Sequence, residues 1–134
     1  MSASYEIDLD RRLVIAVFCD DASIADAQAI MTRLYADPRH SFALNRVYDC
    51  RGLSRLPALA ELRSVAELLR RRVDASVRAR RAIVVRPGAS YGLGRMLQAL
   101  LDLAGLELNI FTDIDEAVTW ATSGAATTAS VSAP

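Results

Sequence analysis

The chain contains no lysine: all 16 of its basic residues are arginine. Every lysine-dependent mechanism is removed at once, including the phosphate-contacting lysine of a receiver domain. Cysteine is scarce. Cys19 and Cys50 form no C-x-x-C pair, so the chain is neither a secreted disulfide scaffold nor a closed four-ligand zinc site. They read as two buried thiols at strand ends. The sole histidine, His40, precedes a different strand, so no Cys/His nucleophilic dyad forms. No charge of one sign prevails, with 16 basic against 16 acidic residues, and nothing global drives the chain onto nucleic acid or lipid. No apolar run approaches a membrane span, and MSASYEIDLDRR lacks the apolar core of a signal peptide. The expectation is a cytoplasmic protein.

What is present is periodic. At 134 residues and 52% hydrophobic content the chain is long enough for one domain with its own core. Tyr5–Leu9 alternates, Asp10-Arg11-Arg12 turns, and Leu13–Phe18 is a nearly continuous apolar run, which together predict a hairpin with a buried second strand. Ser23 and Asp26 have the spacing of a capping box before a helix that Asp37-Pro38 stops. Phe42–Tyr48 predicts a third strand, and Pro57 suits the first turn of a second helix whose stripe runs from Leu59 to Val73. Ala82–Val85, the turn Arg86-Pro87-Gly88-Ala89 and the run Ser90–Ala104 predict strand, loop and helix, closed by Gly105. Leu106–Phe111 predicts the last strand, and Thr112 or Asp113 caps a final helix.

The order is β-β-α-β-α-β-α-β-α. It predicts an α/β fold with a mostly parallel, mixed five-stranded sheet flanked by helices. Residues 1–122 form one domain in this reading, and 123–134, SGAATTASVSAP, a flexible polar tail.

The opening hairpin, the VYDCRG strand end, the RAIVV strand and the closing NIFTDIDEAVTWA resemble the SpoIIAA-like, STAS-type domains, a family that includes anti-sigma-factor antagonists. The likeness covers roughly Tyr5 to Ala121 and looks like a stand-alone bacterial member. In the sigma-regulating branch a phosphorylated serine sits in an Asp-Ser-x-Gly-like loop at the helix after the third strand. Here that region runs from Asp49 to Pro57 without that order, and Ser54 is the one serine near the helix start. The resemblance therefore implies Ser54 as the phospho-acceptor position and an interaction or regulatory role.

Several constellations carry side chains capable of chemistry. Asp20, Asp21 and Asp49 end two neighbouring strands, where three carboxylates could hold a hard cation, but they read better as caps. Gly88, Gly92 and Gly94 beside Arg86 and Arg95 fit neither G-x-G-x-x-G nor a P-loop and read as turn and close-packing glycines. The cluster of Arg70, Arg71, Arg72, Arg78, Arg80 and Arg81 has no interleaved aromatics and reads as a solvated helix end, not a nucleic-acid surface. Met31, Met96 and the leucine stripes read as core, or as the wall of an apolar pocket.

No catalytic set, metal site or cofactor is expected. Open sheets of this kind bind ligands beyond the carboxyl ends of their strands. Asp20, Asp49, Arg51, Arg86, Ser90, Tyr91 and Arg95 are therefore the expected binding crevice. The functional expectation is a non-enzymatic STAS-like domain for a protein partner or small ligand. The alternatives are a carrier of a small apolar or anionic, lipid-like ligand between helices and sheet, and third a phospho-switch or receiver-like domain. No nucleic acid and no membrane span are expected, and a homodimer is compatible with the sequence.

Overall fold

The computed structural model describes residues 3–19, 22–53, 58–73 and 79–126. Its elements are β1 (Ala3–Asp8), β2 (Leu13–Phe18), α1 (Ile24–Ala36), β3 (Asn45–Asp49), α2 (Leu59–Arg72), β4 (Arg81–Val84), α3 (Ala89–Leu103), β5 (Asn109–Phe111) and α4 (Ile114–Ala126). The five strands lie side by side in chain order, β1 antiparallel to β2 and the rest parallel. The expected α/β class and element order are those observed. Both apolar strands, β2 and β4, are interior.

Local chemistry explains the boundaries. Ser23 Oγ accepts the Asp26 N–H while Asp26 accepts the Ser23 N–H, so the capping box opens α1 as expected. Glu61 accepts the N–H of Ala58 at the start of α2, and Asp113 accepts those of Asp115 and Glu116 at the start of α4. Two strands are shorter than the sequence suggests. Residues 41–44 form a turn in which Leu44 donates to Ser41, so β3 begins at Asn45 and Phe42 instead joins the rings of Tyr35 and His40. β5 begins at Asn109 because Leu106 closes the end of α3 by donating to Leu101. At the other end of the chain, α4 runs to Ala126, four residues into the segment expected to be tail, and Ser123 is tied down by bonds to Trp120 and Arg80.

Strand residues alternate between the two faces. On one face Leu13, Val47, Ala82 and Val84 meet Ala117 and Ala121 of α4. The alanines let this helix approach closely. On the other face lie α1, α2 and α3, in two separate cores. α1 packs Ile30 and Leu34 on β1 and β2. α2 and α3 pack on each other through Leu62, Leu69, Leu97 and Leu101. Leu59 and Met96, expected in the core, are exposed, and so is Leu103 on the outer side of α3.

Gly52 marks a close crossing. A Cβ there would stand 2.2 Å from the Phe18 carbonyl oxygen, while its own carbonyl accepts the Ala22 N–H. Gly92, within α3, has open space. Opposite signs are therefore expected in urea denaturation. Gly52→Ala should cost roughly 1–3 kcal/mol or more through backbone displacement, whereas Gly92→Ala should add about 0.5–1 kcal/mol by helix propensity. Equal effects would contradict the crossing.

Candidate functional site

The gap between the two cores on the three-helix face is a cavity of about 710 Å³. Its size lies within the range of small-molecule sites. Phe18, Met31, Leu62, Val65, Leu93 and Leu97 supply apolar wall from β2, α1, α2 and α3. Tyr48, Arg81, Ile83 and Val85 line it from the sheet, and Gln28, Thr32, Ser64, Arg72, Arg86 and Ser90 add polar groups.

Two arginines lie face to face beneath this region, because the β3–β4 register pairs Arg46 with Arg81. Both are 1% exposed. Arg46 is fully partnered: it donates to the carbonyls of Leu44 and Ser41 and bonds His40 Nε2 at 3.0 Å. Arg81 makes one long bond, Nη1 to the Ala79 carbonyl at 3.5 Å, and its Nε and Nη2 have no partner among the described residues. The hydroxyls of Tyr35 and Tyr48 are likewise buried; they lie beside each other, and neither has a partner at full hydrogen-bond distance among the described residues. Burial lowers the pKa of Arg81 from its usual value; Tyr48 opposes the shift and Arg46 adds to it. Burial also pushes Tyr35 up, and Tyr48 beside it adds to the effect.

These residues correct the sequence reading. Arg81 is not part of a solvated helix end; it is the first residue of β4, with its side chain inside. Arg80 leaves the cluster too, stacking on Trp120 at 4.7 Å. Arg70 and Arg71 are exposed and pair with Glu67, whereas Arg72 lies over the Tyr35 ring at the cavity. Arg46 and Arg81 look like surface charges in sequence. Only their alternation with Val47, Tyr48, Ala82 and Ile83 hints that they share strand faces.

The expected crevice is divided by the sheet. Arg86 and Ser90 line the cavity, and Arg86 Nη2 donates to the Leu53 carbonyl at 2.9 Å, holding the loop after β3. Asp49 alternates with Tyr48 and so faces the α4 side, where Arg51 grips both its oxygens at 2.9 and 2.8 Å. Burial opposes its charge, but the bonds from Arg51 outweigh this and hold Asp49 below its usual pKa. Tyr91 and Arg95 are exposed on α3 and do not line the cavity. Asp20, Asp21 and Ser54 lie outside the described residues.

Cys50 lines the cavity, but burial, reinforced by Asp49, pushes its thiol up to about 12, far from a reactive thiolate. No group of three or more metal-ligating side chains occurs among the described residues. No helix among them is long and apolar enough to cross a membrane. Comparison with protein-family models, curated proteins and solved structures gave no significant match.

His40 makes the surroundings of Arg46 sensitive to pH. Burial, with Arg46 alongside, lowers its pKa to about 4 against a weaker upward pull from Asp37. The unfolded chain binds this proton near pH 6.5 and the folded chain only near 4, so stability should fall as pH drops between these values. Melting curves across that window should show a slope that His40→Gln flattens; an unchanged slope would refute the assignment.

Proposed function

We propose that this chain is a non-enzymatic binding domain of STAS-like architecture that holds a small, largely apolar ligand between its helices and its sheet. The observation that carries this reading is the 710 Å³ cavity with its wall of aliphatic side chains from both helical cores. Close packing is the norm in protein interiors, and the α4 side of this same sheet obeys it. An apolar cleft of this size on the other face leaves its aliphatic wall facing water until something covers it. The hairpin followed by parallel strands in chain order supports the likeness to SpoIIAA-type domains. The carrier role depends on the cavity and not on that likeness.

Nile red, an uncharged solvatochromic dye, tests the reading. The folded chain should bind it saturably at one site with blue-shifted emission. Val65→Trp, which places a larger ring in the cavity, should weaken binding by about tenfold, or ~1.4 kcal/mol, while the chain still melts cooperatively. Absence of saturable binding, or equal affinity in the variant, would refute a ligand cavity.

A further inference from the structure

Arg81 goes further than the cavity itself, because it restricts what the ligand can be. A buried charge is normally paired or supplied with hydrogen bonds, since its removal from water is costly. Arg46, its register partner, follows that rule with carbonyls and a histidine. Arg81 does not, and the missing bonds are specific: Nε and Nη2 are the two donors of one edge of the guanidinium.

Elsewhere this chain shows what that edge takes. Arg39 uses Nε and Nη2 on the two oxygens of Asp37, at 3.1 and 2.9 Å. Arg51 does the same to Asp49 at 2.9 and 2.8 Å, and Arg70 to Glu67. In each case the occupant is a carboxylate held in the side-on, two-bond geometry that guanidinium favours. At Arg81 the edge is vacant among the described residues, in a side chain that lines an apolar cavity.

We propose that the ligand is a long-chain monocarboxylate, a fatty acid in chemical class, whose head group is bound by the Nε and Nη2 edge of Arg81. This rests on the reading of the cavity as a ligand site. A single negative charge fits because the neighbouring guanidinium of Arg46 is already fully engaged. The buried hydroxyls of Tyr35 and Tyr48, which lie beside each other without a full-distance partner among the described residues, supply further donors for the same head group. Each of these vacant polar atoms exposes less than 1 Å². The carboxylate therefore displaces neighbouring side-chain atoms when it docks and is sealed from water once there. The acyl chain then follows β4 from Arg81 past Ile83 and Val85 towards Ser90, a path of roughly 13 Å at the usual strand rise.

Competition against bound Nile red separates the possibilities, using tetradecanoate, tetradecanol and tetradecyl phosphate with wild type and Arg81→Met. Tetradecanoate should displace the dye about 10- to 100-fold better than the alcohol, the range expected of hydrogen bonds to a charged group. Arg81→Met should erase that advantage, read as the ratio of acid to alcohol displacement measured within each protein, so that any change in its affinity for Nile red cancels. The empty variant should melt no lower than wild type, since an unpaired buried charge has been replaced by an apolar side chain. Equal displacement by acid and alcohol in wild type would overturn the head-group assignment while leaving the cavity intact as a dye site. Stronger, Arg81-dependent displacement by the phosphate would overturn the carboxylate class. Failure of wild type to bind Nile red would overturn the cavity reading itself. Should Arg81→Met not fold, wild type with tetradecanoate carrying ¹³C at its carboxyl decides the matter. The bound carboxyl should titrate well below the free acid, and a free-acid titration would overturn the proposal.

Discussion

Handedness governs this structure. Parallel crossovers favour one hand, the right-handed one, and here the strands follow one another across the sheet in chain order. The three crossover helices are therefore all delivered to one face. Among the described elements the opposite face has only α4, which follows the last strand and packs with the small side chains of Ala117 and Ala121. One face is closed by a single well-fitted helix. The other must be covered by α1 on one flank and the α2–α3 pair on the other, and the space between them is the cavity.

The two faces of β3 and β4 also divide the electrostatics. Asp49 and Arg51 form a complete pair on the α4 side. Arg46 and Arg81 lie on the three-helix side, one satisfied by backbone carbonyls and His40, the other incomplete. A guanidinium resists losing its proton even when burial lowers its affinity, so the position stays cationic and the cavity keeps one fixed positive point beneath apolar walls.

The fold was legible because it depends on patterns local in sequence. The apolar run of β2, the capping box at Ser23 and the strand-turn-helix from Arg81 to Gly105 each state their own structure. The site was much less legible, since its parts come from β3, β4 and the end of α1. Arg81 follows a string of arginines that belongs to α2 and its exit, and nothing local separates the buried member from the exposed Arg70 and Arg71. Tyr35 and Tyr48 read as ordinary stripe residues until the register brings them to the same place. Of the crevice expected from strand ends, Arg86 and Ser90 border the cavity, while period-two alternation sends Asp49 to the other side.

The unequal packing of the two faces has a consequence for how such a chain can diverge. Against α4, a methylene added or lost at Val47, Ala82 or Ala117 has nowhere to be absorbed, so that half of the molecule holds its sequence volume nearly fixed. Around the cavity, Met31, Val65 and Leu93 pack on a core with one side and border open space with the other, so part of a change in their size can be absorbed there. Drift at those positions would reshape the chamber while the architecture stays the same. One rigid half preserves the fold, and one permissive half lets descendants acquire different occupants.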